Sequence, residues 1–223
     1  CYNAVDRHLT TRADQAALVA ISTETDTETT YTYAQLHAEV NRSAAMMQSL
    51  GVKQGDRVLI YMPMVAEAAF AMLACARIGA VHSVVFGGFA SNSLATRIDD
   101  ATPRLIISAD AGSRGCHVTP YKSLLDEAIT LAQHKPKHVL MVNRGLAPMK
   151  MVPERDIDYT TLREKHLDAV VPVVWLESNA PSYILYTSGT TGKPKGVLRD
   201  VGGYAVALAT CLLYTSDAAD DSL

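Results

Sequence analysis

The strongest constraint on the fold is a regular alternation of strand-length apolar runs with helical segments between residues 57 and 142. Arg57–Met62, Val81–Phe86, residues 104–109 and His138–Val142 are short, mostly apolar and rich in Val, Ile and Leu, as buried strands are. Between them, residues 65–78, 91–100 and 121–132 read as helices. The first is apolar nearly all round and so buried, the second has Ser91 as candidate N-cap, and the third has Pro120 near its start. A helix over residues 34–50, with Leu36, Val40, Ala44 and Met47 at helical spacing and Gly51 as its stop, precedes the series. Strand–helix alternation predicts an α/β fold of βαβ units, with a parallel sheet covered on both faces. Ligands on such sheets sit outside the carboxyl ends of the strands. Gly87-Gly88 and the loop expected over residues 110–115 both follow strands and belong to that edge.

Composition agrees with a globular protein. Of 223 residues, 48% are apolar and 19% charged, too apolar for a disordered chain. The net charge of −3 argues against a general nucleic-acid binder. The four cysteines, Cys1, Cys75, Cys116 and Cys211, are far apart and have neither zinc-site nor disulfide-framework spacing. No metal site is expected. The longest stretch without Asp, Glu, Lys or Arg, residues 78–96, contains His82, Asn92 and glycines. It is a poor candidate for a span of ~20 apolar residues, and no membrane partner is expected. A cytoplasmic location is the default expectation. Because the chain begins at Cys1, a mitochondrial targeting segment ahead of it stays open.

Residues 143–179 are broken by Pro148, Pro153 and Pro172 and read as connecting structure with a short helix near residues 161–166. A strand over residues 182–186 then leads into Tyr186-Thr187-Ser188-Gly189-Thr190-Thr191-Gly192-Lys193-Pro194-Lys195-Gly196. Four Ser/Thr hydroxyls, three glycines and two lysines share these eleven residues. Glycines let the backbone approach a polyphosphate with successive N–H groups pointing at it. Hydroxyls and ammonium groups add charge-assisted hydrogen bonds. A polar turn between two strands explains a lone Gly-Thr-Thr-Gly-Lys equally well, but leaves the density of donors in the full string without a reason. The spacing is not that of a P-loop, which needs four residues between its glycines and Ser or Thr after the lysine. Gly189 and Gly192 are separated by two residues, and Pro194 follows Lys193. No Gly-x-Gly-x-x-Gly supports a dinucleotide fold.

The eleven-residue string resembles the signature loop of the adenylate-forming superfamily. The flanking strings Asn3-Ala4-Val5-Asp6-Arg7-His8, Gly51-Val52-Lys53-Gln54-Gly55-Asp56-Arg57-Val58, Gly79-Ala80-Val81-His82-Ser83-Val84-Val85-Phe86-Gly87-Gly88-Phe89 and Ser108-Ala109-Asp110 resemble the short-chain, AMP-forming acyl-CoA synthetases. Arg199-Asp200-Val201-Gly202-Gly203-Tyr204 and the residues after it are similar to the propionyl branch of that group. The resemblance covers about residues 2–210.

It implies that residues 1–210 are part of a large N-terminal AMP-binding domain, incomplete here, and that ATP with magnesium, coenzyme A and a short-chain carboxylate are the substrates. The reaction implied has two steps. Propionate or acetate attacks the α-phosphate of ATP, and the CoA thiol then displaces AMP from the acyl-adenylate. Thr187, Ser188, Gly189, Thr190, Thr191, Gly192, Lys193 and Lys195 are the expected phosphate-binding residues. Gly88, Arg114, Gly115, Cys116 and His117 are the expected CoA-binding residues, with Arg114 in the first of two basic positions. His117 stands in the second, where Arg or Lys is usual, and histidine carries less charge at neutral pH. No catalytic residue and no magnesium ligand is expected within these 223 residues, so the chain alone is expected to be inactive. A phosphate-binding fragment without activity, or an adenylation domain for another carboxylate, are the alternatives. Residues 211–223 depart from the family pattern and read as a non-native tail. His82 reads as a packed core histidine, and Asp99-Asp100 as a helix-end acid pair rather than a catalytic dyad.

Overall fold

The computed structural model describes residues 1–114, 117–187 and 194–220. A short 3-10 turn (Asp6–His8) and the one-turn helix α1 (Leu9–Arg12) lead into an antiparallel hairpin, β1 (Ala16–Ser22) and β2 (Thr27–Thr32). Helix α2 (Tyr33–Ser49) starts where Thr32 and Gln35 cap each other. The Gln35 N–H donates to Thr32 Oγ1 at 3.2 Å and the Thr32 N–H to Gln35 Oε1 at 2.8 Å, satisfying donors that a helix start leaves unpaired. Then follow β3 (Arg57–Met62), α3 (Ala66–Ile78), β4 (Val81–Phe86), α4 (Ser91–Ala101) and β5 (Leu105–Ala109). A second hairpin, β6 (Ala111–Arg114) and β7 (His117–Pro120), precedes α5 (Tyr121–Leu131), β8 (His138–Val142), β9 (Asp156–Asp158) and α6 (Tyr159–Glu164). A third, β10 (Pro181–Thr187) and β11 (Lys195–Asp200), leads into α7 (Val201–Asp220).

Among the described residues the main sheet has seven strands in the order β11-β10-β4-β3-β5-β8-β9. Every neighbouring pair is parallel except β10 and β11. The predicted α/β parallel sheet is therefore present, and the pleat explains how one apolar run serves two cores. Val58, Ile60 and Met62 of β3 face one core with Leu105, Ile107, Leu140 and the buried side of α2 and α3. Leu59 and Tyr61 face the other with Ile106, Val139, Met141 and the buried side of α4 and α5. A smaller cluster of Val5, Leu36, Val40, Ala66 and Phe70 seats the β1–β2 hairpin, with Tyr31 edge-on to Phe70 at 5.1 Å.

Three expectations are corrected. Ser91 is not the N-cap of α4: Ala90 holds that position, and the Ser91 hydroxyl donates instead to Glu127 Oε2 at 2.6 Å, tying α4 to α5. The stretch after Asp110 is not a loop but strand β6, paired with β7 from Ala111↔Pro120 to Arg114↔His117. The connecting stretch holds strand β9 as well as a helix, and that helix starts at Tyr159 because Asp158 Oδ1 accepts from the Thr161 N–H at 2.7 Å. Helix α7 passes through Cys211 without a backbone break.

Candidate functional site

Because β10, β4, β3, β5, β8 and β9 run parallel, their carboxyl ends share one edge, and the chain places two stations along it. The first follows β5. Asp110 is fully buried there, and its carboxylate accepts from the backbone N–H groups of Arg144 at 3.2 Å, Leu146 at 2.7 Å and Ala147 at 3.2 Å. It is a structural acceptor that folds the segment after β8 around the root of the β6–β7 hairpin. Tyr121, at the start of α5, wedges its hydroxyl against two glycine backbones. A Cβ on Gly87 would lie 2.1 Å from Tyr121 Oη, and one on Gly112 would lie 2.3 Å from it; only glycine permits this approach. Tyr61, 5.0 Å from the Tyr121 ring, donates to the carbonyls of Gly87 at 3.3 Å and Phe89 at 3.2 Å. Burial raises the pKa of both phenols, which keeps them donors at physiological pH.

Of the predicted CoA residues, Arg114 and His117 are paired across the far end of this hairpin, and His117 is exposed. Gly115 and Cys116 lie outside the described residues. Gly88 is on the same edge at the end of β4, with the Phe86 ring over the place a Cβ would take, 2.6 Å from the nearest ring carbon.

The hairpin is fixed by residues the sequence reading missed. Glu24, in the β1–β2 turn, accepts the Ser113 N–H at 3.0 Å through Oε1 and pairs with Arg144 through Oε2. Arg144 also reaches the Ala111 carbonyl at 3.2 Å and Ser22 Oγ at 3.3 Å. Burial pushes the Glu24 carboxyl up, but the Arg144 guanidinium and the Ser113 N–H outweigh it and hold the group below the usual carboxylate range. An arginine directly after a strand, at the ligand edge, was the available signal for Arg144. Nothing local marks Glu24, whose partners are 89 and 120 residues away.

The second station is the β10–β11 hairpin. Thr187 and Lys195 are the last pair of its register and are exposed. Ser188, Gly189, Thr190, Thr191, Gly192 and Lys193 lie outside the described residues. Tyr183 is in register with His82, so Thr187, four residues on, comes level with Phe86 and the glycines after it. The Tyr186 hydroxyl donates to Asp100 Oδ2 at 2.6 Å. Burial and that carboxylate both raise the Tyr186 pKa, so the phenol stays protonated. Arg97, 5% exposed, lies 4.2 Å from the centre of the Phe89 ring and 5.3 Å from that of Tyr186. Asp99 serves another partner, the His134 N–H at 2.8 Å, so the two acids do not act as a pair.

His82 stacks on Tyr183 with ring centres 5.6 Å apart. Its buried Nδ1 has no hydrogen-bond partner among the described residues, and burial lowers its pKa to about 4. It is a packed, neutral imidazole. Among the described residues no three His, Cys, Asp or Glu side chains come together as a metal site, and no helix is long and apolar enough to cross a membrane.

The edge thus offers a glycine- and hydroxyl-rich hairpin at β10 and a rigidly braced one beyond β5, with β4 and β3 between. A family model described as AMP-binding enzyme matches residues 5–223. The chain is 68% identical, over 95% of its length, to a propionate–CoA ligase of Salmonella typhimurium, of which it spans 34%. It is 46% identical, over 97% of its length, to an acetyl-coenzyme A synthetase of Xanthobacter autotrophicus, of which it spans 33%. In fold it matches an acetoacetyl-CoA synthetase from Streptomyces lividans with a TM-score of 0.79 at 27% identity, over 90% of this chain and 30% of that one. The chain spans about a third of the length of these relatives. With the model match running through almost all of its residues, the chain belongs to the AMP-binding enzyme family.

Proposed function

We propose that this chain is the part of a short-chain carboxylate–CoA ligase that holds the phosphates of ATP and grips coenzyme A, with propionate as the favoured acid. The observation that carries the reading is the 68% identity to a propionate–CoA ligase across 95% of the chain, against 46% to an acetyl-coenzyme A synthetase. In this reading the β10–β11 connection supplies Thr187, Ser188, Gly189, Thr190, Thr191, Gly192, Lys193 and Lys195 to the β- and γ-phosphates. Pyrophosphate gathers charge as it leaves, and Lys193 stabilises that charge more than it stabilises bound ATP. Arg114 and His117, with Gly115 and Cys116 between them in sequence and Gly88 after β4, hold the phosphorylated nucleotide of CoA. Magnesium would enter with the nucleotide; none of its ligands is assigned to this chain.

The test is a full-length ligase carrying this segment, for example the Salmonella relative with its matching stretch replaced by this chain. Incubated with ATP, magnesium and CoA, it is expected to form propionyl-CoA with a higher kcat/KM for propionate than for acetate. Failure to form any acyl-CoA, with the chimaera folded, contradicts the reading. The chain by itself spans about a third of its relatives, which favours a second statement: alone it makes no acyl-CoA. Measurable propionyl-CoA from the isolated chain overturns that statement.

A further inference from the structure

The β6–β7 hairpin has four-residue strands and stands outside the main sheet. Two-stranded ribbons of this size do not hold a fixed position by themselves. Its root is secured by Asp110 and by the Tyr121 wedge against Gly112, but these act at the end next to β5. The other end carries Arg114 and His117, and the Glu24–Arg144 pair ties the residue before Arg114 back to the root. Glu24 takes the N–H of Ser113, the residue before Arg114, while Arg144 takes the carbonyl of Ala111 on the same strand. One carboxylate and one guanidinium therefore fix β6 at two points, its first residue and the one before Arg114.

The pair is not a loose surface contact. The Arg144 side chain is 8% exposed and that of Glu24 19%, and both have further hydrogen bonds through Ser22. Buried charges of this kind are orienting devices when their remaining donors and acceptors are satisfied. The partners come from separate places, a peripheral turn and the segment after β8, and converge on β6. Neither belongs to the apolar clusters that hold the sheet and helices together.

We propose that Glu24 and Arg144 are positioning residues for coenzyme A, their pair setting the β6–β7 hairpin at the height and angle from which Arg114 and His117 meet the phosphorylated nucleotide. The proposal rests on the reading of that hairpin as the CoA grip. A brace of this type acts on placement alone. Displacing a binding group by about 1 Å is enough to cost up to about a hundredfold, whereas the ATP-dependent half-reaction, centred on the other hairpin, does not depend on it.

The experiment uses a full-length ligase carrying this segment, with Glu24→Ala, Arg144→Ala, Glu24→Gln and, as a control for the reading, Arg114→Ala. For each, KM for CoA is measured in the complete reaction, and propionate-dependent ATP–pyrophosphate exchange in the absence of CoA. Glu24→Ala and Arg144→Ala are expected to raise KM for CoA about tenfold with exchange unchanged. Glu24→Gln keeps an acceptor for the Ser113 N–H but puts an amide donor where Arg144 had its carboxylate oxygen, so its rise should be smaller than that of Glu24→Ala, about two- to threefold. If Arg114→Ala raises KM for CoA but the Glu24 and Arg144 variants leave it unchanged, the inference is overturned and the CoA reading stands. If exchange falls along with CoA use in those variants, the pair is a general stabiliser and the inference is likewise overturned. An unchanged KM for CoA in Arg114→Ala overturns the reading beneath, and the inference with it.

Discussion

The Tyr186 hydroxyl donates to Asp100 Oδ2 at 2.6 Å, joining β10, the strand that enters the proposed phosphate loop, to the end of α4. The returning strand meets the same carboxylate, since a Cβ on Gly196 would lie 3.1 Å from Asp100 Oδ2. Both sides of the β10–β11 connection therefore converge on one acid. Removing the hydroxyl with Tyr186→Phe leaves the ring over Arg97 and deletes one hydrogen bond, at a cost of about 1 kcal/mol. Denaturant unfolding is expected to show that loss, and a full-length ligase carrying the change is expected to show a raised KM for ATP. An unchanged KM would mean that the loop does not depend on this anchor.

Gly87 and Gly88 differ sharply in what a side chain would meet. A methyl group at Gly87 would collide with the buried Tyr121 ring, 2.1 Å from its oxygen and 2.3 Å from Cζ. Forcing that ring aside should cost about 1–3 kcal/mol. At Gly88 the obstacle is the Phe86 ring, which is 63% exposed and free to swing. Gly88→Ala is therefore expected to cost less than about 0.5 kcal/mol. Thermal melts of the two variants check the order, and equal losses would contradict it.

His82 makes a pH prediction. Its folded pKa, about 4, lies below the ordinary imidazole value near 6.5. Between those values the unfolded chain binds a proton that the folded chain refuses. Stability is therefore fully present above about pH 6.5 and falls as the pH drops towards 4, by up to about 1.4 kcal/mol per unit and about 3 kcal/mol in all. His82→Phe keeps a ring against Tyr183 and removes the proton site. The difference in unfolding free energy between the two chains should shift in favour of the variant on going from pH 7 to pH 4.5. No shift would show that His82 is solvated when folded.

Helix α7 packs Tyr204 against Tyr183 with ring centres 4.8 Å apart, and Val206, Leu208 and Cys211 beyond it are exposed. Deleting residues 211–223 is expected to leave the melting temperature of the chain unchanged within error. A fall of several degrees would show that the tail packs.

The central sheet was legible because β3, β4, β5 and β8 are short apolar runs separated by helices of clear length. Their order was not legible, because β5 passes β4 and pairs with the far side of β3. The β1–β2 hairpin was not legible either: β2 is threonine-rich and mostly exposed, and the apolar run of β1 is only partly buried and lies ahead of the alternating series. Strand β6, Ala-Gly-Ser-Arg, has little strand propensity of its own, and tertiary braces hold it in place. Asp110 and Tyr121 are each single residues whose role depends on where a distant segment comes back, as are Glu24 and Arg144. The string proposed to bind phosphate stands out in the sequence for the opposite reason: its hydroxyls, glycines and lysines are concentrated in eleven consecutive residues.

The central claim is that the two stations divide the reaction, with the β10–β11 connection serving ATP and the β6–β7 hairpin serving CoA. The most direct test sets Lys193→Ala beside Arg114→Ala in a full-length ligase carrying this segment and measures both half-reactions on each. Lys193→Ala should slow propionate-dependent pyrophosphate exchange about a hundred- to a thousandfold. It should also convert chemically made propionyl-AMP and CoA to propionyl-CoA at close to the normal rate. Arg114→Ala should do the reverse, with exchange near normal and CoA binding weakened about ten- to a hundredfold. If each substitution depresses both half-reactions equally, or neither half-reaction responds, the division of labour is contradicted.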